Sequence, residues 1–330
     1  MYLAAIGSGL AIGTLLPGRL RVLEAMLWPV LALLLYTTFT QVPLAHIRHA
    51  ISDTRFVIAA VVGNFLAVPL LLWGLVQFLP DDPAIRLGVL LVLLVPCTDW
   101  FITFTHLGGG ATRHAIAFSP ISLLLQVVLL PLYLWVFLGE AFVTTVARRE
   151  MLVAFASLIM LPLLGAFATE RWIESMPRRR HVLERLAWLP VPLLAVVVLI
   201  IAATQVNLVT ASSAVLGHLL LIFVGYLFVA GLMARALASV FTLPPSQGRV
   251  LAFSLGTRNS FVVLPLALAL PSSFGLAVVA IVFQSLVELL GMVAYLWWVP
   301  KRLFPEAIAN VGREGAAQHG AAADAAKRRG

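Results

Sequence analysis

Cys97, Thr98 and Asp99 place a thiol, a hydroxyl and a carboxylate on consecutive residues. Thr257, Arg258, Asn259 and Ser260 place two hydroxyls, a guanidinium and an amide together about 160 residues later. A thiolate is a soft ligand suited to thiophilic species such as trivalent arsenic or antimony. A single thiol also suits a protein that must release what it binds, because three would hold too tightly to cycle. The bland reading of a lone cysteine in an apolar helix is a small packing group. Glu288 lies one helical turn from Gln284 on a shared helix face and is a candidate proton carrier or a hydrogen-bond partner for a neighbouring helix. Asn64, shortly before Pro69, is a further polar group within an apolar stretch.

All of these residues sit where charge and polarity are costly. Of the 330 residues, 62% are hydrophobic and 11% charged, against about 25% charged in soluble domains, so a water-soluble globule is excluded. Apolar runs of about 20 residues recur along the chain, each long enough to cross a hydrocarbon core about 30 Å thick. Backbone groups in lipid must be satisfied internally, and these runs are far too long for barrel strands, so the spans are helices. The expected fold class is therefore an all-α membrane protein. Ten spans are expected, near residues 2–17, 22–43, 55–79, 86–107, 113–138, 148–169, 186–205, 212–239, 249–270 and 272–299. The first run lacks a basic leader and reads as a retained helix. The single cysteine excludes an internal disulfide framework.

The net charge of +8 follows topology rather than a nucleic-acid surface. Sixteen of the 22 Lys and Arg residues fall in the connections after even-numbered spans and in the C-terminal tail, which puts both termini in the cytoplasm. The run Arg178–Arg180 reads as topological anchoring, with a lipid site as the alternative. Five spans precede residue 148 and five follow it, so the second half inserts upside down relative to the first. Faint echoes support a duplication: Thr98-Asp99 with Thr257-Arg258, Gln126 with Gln284, and Tyr133-Leu134-Trp135 with Tyr295-Leu296-Trp297.

Two spans carry breaks. Pro96 removes a backbone donor and clashes with the preceding turn, so span 4 is expected to break there. Gly256 within Ser254–Ser260 weakens span 9 in mid-membrane. Arg258 lies nine residues from Arg249, and Asp99 nine before Gly108, so both sit about 13–14 Å deep. If the breaks cross, Asp99 and Arg258 come within reach, and an ion pair or shared hydrogen-bond network is expected. Gly217, Gly225 and Gly231 read as close-packing positions, His218 and His106 as helix-end groups, and the tryptophans as interfacial or packing residues. No phosphate loop, metal-ligand spacing or nucleophile–base set stands out, so an enzyme is not expected.

Taken together, these residues resemble the superfamily of bile acid:sodium symporters and arsenical-resistance transporters. The likeness runs over spans 2 to 10 and is carried by Pro43-Leu44-Ala45, Asn64 to Pro69, Pro96-Cys97, and Gly256 with Asn259-Ser260. It implies ten transmembrane helices in two inverted five-helix repeats, with helices 4 and 9 discontinuous and crossing. Residues 1–45 and 148–205 would form a panel, and 55–138 and 212–299 a core. Residues 306–330, rich in Ala, Gly and charge, read from composition as a disordered cytoplasmic tail. Cys97 resembles the span 4 cysteine of the arsenite-efflux branch. Where the sodium-coupled branch lines its ion sites, this chain has Phe101, Ile102, Ser254 in place of an acid, and Arg258 in place of a neutral ligand. A fixed cation beside emptied oxygen sites disfavours sodium. The arsenite branch also has a span 9 glutamate where this chain has Phe261-Val262-Val263, which leaves proton exchange to Asp99 or Glu288.

The resemblance implies a multi-pass secondary transporter of the cytoplasmic membrane. Arsenite efflux by alternating access, proton-coupled or uniport, is the leading expectation, with no cofactor and a small molecule or metalloid oxyanion as substrate. Cys97, Thr98, Asp99, Asn64, Arg258, Asn259 and Ser260 would line the site, with Cys97 contacting the metalloid. The alternative is a bile-acid-like organic anion transporter with Arg258 as the counter-charge. A membrane receptor or scaffold is a third reading, against which the paired helix breaks argue.

Overall fold

The computed structural model describes residues 2–15, 20–43, 53–145, 153–175, 180–205 and 213–305. Leu44, Ala45, the connection near residue 148, the Arg178–Arg180 side chains and the tail 306–330 lie outside the described residues. Among the described residues, thirteen helices follow in order: α1 (Tyr2–Leu15), α2 (Leu20–Phe39), α3 (Thr54–Phe78), α4 (Pro83–Leu94), α5 (Trp100–Leu107), α6 (Thr112–Thr145, kinked at Gly139), α7 (Val153–Glu174), α8 (Arg180–Leu186), α9 (Pro190–Thr204), α10 (Ser213–Val240), α11 (Pro245–Gly256), α12 (Ser260–Leu268) and α13 (Gly275–Trp298). Among the described residues, seven stretches are long and apolar enough to cross a membrane, and Ala4–Leu15 and Pro83–Leu94 are shorter apolar helices.

Local chemistry sets several helix starts. Asp53 accepts the Phe56 amide at the start of α3. Asp82 accepts the Ala84 and Ile85 amides, with Pro83 in the first turn of α4, where its missing N–H costs nothing. Asn259 accepts the Val262 amide at the start of α12. Within α3, residues Gly63–Ala67 form one widened π-turn, a local distortion frequent at functional sites.

The helices pack in two groups. In one, α1 lies on α9, α9 on α2, and α2 on α7. Gly9 and Gly13 sit one turn apart where α1 meets α9, and a Cβ on either would strike the Leu199 or Ala203 carbonyl. Tyr36 and Thr169 join α2 to α7 through a 2.8 Å hydroxyl pair. In the other group, α13 packs on α4, α10 and α12, and α10 packs on α11. Here a Cβ on Gly88 would lie 2.7 Å from the Ala277 Cα, which lets α4 and α13 approach backbone to backbone.

The glycines of α10 correct one expectation. An added Cβ at Gly217 or Gly225 would meet nothing within 4 Å; only Gly231, beneath the Trp298 ring, is a close-packing position. The other two lie on exposed faces of the helix.

Candidate functional site

Both expected breaks are present. Val95–Asp99 separates α4 from α5, and Thr257–Asn259 separates α11 from α12. The two interruptions cross as a short antiparallel bridge centred on Pro96 and Arg258. The Cys97 amide donates to the Thr257 carbonyl at 3.2 Å, and the Asn259 amide to the Val95 carbonyl at 2.8 Å. This is the non-hydrogen-bonded pair of an antiparallel ladder, in which the central residues point their N–H groups away from the partner. Proline is therefore tolerated at position 96. The same geometry turns the Arg258 amide outward, where it donates to Glu288 Oε2 at 2.8 Å.

The Arg258 side chain runs the other way. Nη1 donates to the Leu93 carbonyl at 3.3 Å, and Nη2 to Asn64 Oδ1, the Ser254 carbonyl and the Leu255 carbonyl at 3.0, 2.9 and 2.7 Å. Leu93 ends α4, and Ser254 and Leu255 end α11. One guanidinium thus caps the carbonyl ends of both interrupted helices, where the helix dipoles favour a cation. The Tyr226 ring lies 5.6 Å from the guanidinium carbon, and its hydroxyl shares the Leu255 carbonyl. Asn64, on the π-turn of α3, also donates to the Ser254 hydroxyl at 3.0 Å.

The expected pairing of Asp99 with Arg258 is corrected by this arrangement. The guanidinium is committed to four oxygens behind the crossover, and Asp99 accepts instead from the Cys97 thiol at 3.3 Å. Asp99 sits at the N-terminus of α5, the dipole end that favours an anion. Thr98 is fully buried: its carbonyl accepts from Ser119, and its hydroxyl from the Asn259 amide at 3.4 Å. Ser260 donates to Gln284 at 2.7 Å, and Gln284 donates to Glu288 at 2.7 Å. Through the Arg258 amide Glu288 also bonds to span 9, a neighbouring helix as expected. The corresponding Gln126 is buried with both amide atoms unpartnered, so the sequence echo is not matched by a matching network.

A pocket of about 750 Å³, counting the open space at its mouth, lies between the crossover and helices α2 and α9. Cys97, Asp99, Arg258 and Asn259 reach its wall from the crossover, while Asn64, Thr98, Ser260 and Glu288 stand in the network around it. Its remaining walls are mainly apolar, with Leu35, Leu194 and Leu289 among them. Thr38 and Ser285 also line it and were not singled out from sequence. The hydroxyl cluster Thr37-Thr38-Thr40 in an apolar helix, and the position of Ser285 beside Gln284, were the available signals. His106 and His218 are exposed; His218 contacts the Phe78 carbonyl at 2.7 Å.

A second polar cluster lies at the starts of α3, α6 and α11. Asp53 Oδ2 meets Gln247 Nε2 at 2.6 Å and His114 Nε2 at 3.3 Å. Partial burial pushes the Asp53 carboxyl up, but the Phe56 amide, Gln247 and His114 together outweigh it and hold the group below its ordinary value.

Interrupted helices crossing inside a bundle of apolar helices, with polar groups gathered at the crossing, define a multi-pass membrane transporter. A model of the sodium bile acid symporter family matches residues 28–212, more than half of the chain, and the chain belongs to that family. The family consists of transporters, sodium-coupled or related, and not of enzymes. The matched stretch takes in the first interruption and ends before the second. A search of curated proteins returned no match.

Proposed function

We propose that the chain is a secondary transporter that exports arsenite or a related metalloid by alternating access. Its plan is read as ten transmembrane helices in two inverted five-helix repeats, with a panel of residues 1–45 and 148–205 moving against a core of 55–138 and 212–299. Both termini are read as cytoplasmic and the membrane as the cytoplasmic one.

The observation that carries the reading is the position of Cys97 Sγ. The only thiol of the chain is on the cavity wall at the crossover, already donating to the Asp99 carboxylate. Arsenous acid, As(OH)₃, is uncharged near neutral pH and needs no counter-charge. An As–OH bond breaks as an As–S bond forms; the thiol proton passes to Asp99 and then to the leaving hydroxide, which departs as water. One sulfur ligand leaves the step reversible. Thr98, Asn259 and Ser260 hold the crossover in shape, and Arg258 with Asn64 fixes its charge. Asp99 and Glu288 are the groups available to couple protons.

Sodium coupling is disfavoured. The oxygens of Leu93, Ser254, Leu255 and Asn64 form a set suited to a hard cation, and a permanent guanidinium already occupies it. The apolar walls of the cavity favour a second reading, an amphipathic organic solute. For an organic anion, Arg258 would first have to give up its four oxygen partners.

Metalloid uptake into inside-out vesicles tests the proposal, comparing wild type with Cys97→Ser, with and without a proton gradient and with sodium replaced by potassium. Sodium-independent uptake lost in the serine variant supports it. Uptake that is absent, or unchanged by the serine, moves the reading to the organic solute.

A further inference from the structure

A second pocket, of about 480 Å³ counting the open space at its mouth, lies along the same seam between the two helix groups. It is lined by α1, α9, α10 and α13, and its walls are almost wholly apolar. The two cavities succeed one another along the same two helices. On α9, Pro190, Leu194 and Val198 face the first cavity, and Ile201 and Gln205 face the second. These positions are three or four residues apart and so form one stripe on one helix face. On α13, Val279 and Val282 face the second cavity and Leu289 the first, again at helical spacing. Leu286 completes that stripe, and it lines both cavities. From Val282 to Leu289 the rise is about 10 Å, and Leu286 stands between them.

We propose that the two cavities are successive parts of one solute path and that the Leu286 side chain is the barrier between them. A branched apolar side chain is well suited to this role, since it closes a narrow seam to water and ions without holding a polar solute in place. The outer walls differ in chemistry. The thiol and carboxylate lie on one side of Leu286 only, so a solute crossing it leaves its ligands behind. The inference rests on the chain's being a transporter and not on the metalloid reading.

Thiol labelling tests it without a known substrate. In a Cys97→Ser background, single cysteines replace Val282 or Leu289 in the full-length protein in membrane vesicles of each orientation, treated with a bilayer-impermeant maleimide. Leu289→Cys is expected to react at least tenfold faster from one face and Val282→Cys from the other. Adding Leu286→Ala should reduce both side preferences to within about twofold, while Leu286→Phe should keep them. Preferences unchanged by Leu286→Ala in protein of wild-type abundance would overturn the proposal. So would reaction of both cysteines from the same face, or of neither from any face. None of these outcomes depends on whether arsenite is carried.

Discussion

The main-chain amide of Arg258, rather than its guanidinium, holds the Glu288 carboxylate, at 2.8 Å. Because Arg258 faces Pro96 across a non-hydrogen-bonded position, its amide points toward α13 while its side chain points back under the ends of α4 and α11. One residue therefore serves two networks on opposite sides of the crossover. A charge at the centre of a membrane helix costs about 2.5–3.5 kcal/mol on insertion scales. The buried Arg258 charge has four oxygen acceptors and an aromatic face to offset its burial.

Removing that charge should unfasten the crossing. Arg258→Gln leaves buried carbonyls at two helix ends without a donor. Hydrogen bonds to charged groups contribute about 1.5–3 kcal/mol each, so a loss of at least about 3 kcal/mol is expected. Arg258→Lys, with a point charge and no planar fork, should fall between the two. Thermal unfolding in detergent, followed by size-exclusion recovery, measures the order wild type, Lys, Gln.

Glu288→Gln should fold, since one amide oxygen can still accept from Arg258 N or from Gln284 Nε2, both now held by the carboxylate. Glu288→Ala leaves both donors unsatisfied and should cost about 1–3 kcal/mol more than the glutamine variant. If Glu288 couples protons, the glutamine variant should also lose the dependence of uptake on a pH gradient while keeping its abundance.

Helix packing was legible where the sequence states a backbone requirement and obscure where it depends on what lies opposite. Pro96 marked the first interruption because a missing donor acts locally, whereas Gly256, at the second, also leaves room for the Tyr295 ring of α13. Gly231 and Gly225 look alike in sequence, yet only the first faces an aromatic ring. The pairing of Asp99 with Arg258 was expected from depth and charge. It failed because side-chain direction at a strand-like crossing follows hydrogen-bond register, which depth does not reveal. Thr38, Ser285 and the Asp53–His114–Gln247 cluster join residues brought together from separate helices, which spacing alone could not assemble.

The glycine contrast is measurable. Gly88→Ala places a methyl against the Ala277 backbone, 2.7 Å from its Cα, and overpacking of this kind costs about 1–3 kcal/mol. Gly225→Ala meets nothing within 4 Å in mid-helix and should stabilise by about 0.5–1 kcal/mol. Melting temperatures of the two variants should move in opposite directions.

Asp53 gives the fold a pH dependence with a definite sign. Its carboxyl is held below the ordinary value in the folded protein, so its contribution is complete above the unfolded value of about 3.9. That contribution is lost as pH falls through the lower folded value. Wild type should therefore lose thermal stability more steeply than Asp53→Asn between about pH 5 and 3, and the two should run parallel near pH 7.

The arsenic K-edge absorption spectrum of the purified protein with bound arsenite tests the central claim most directly, because it counts the atoms around the metalloid. One sulfur and two oxygens are predicted for wild type, and three oxygens or no bound arsenic for Cys97→Ser. An oxygen-only shell in wild type, identical to that of the serine variant, would contradict the account.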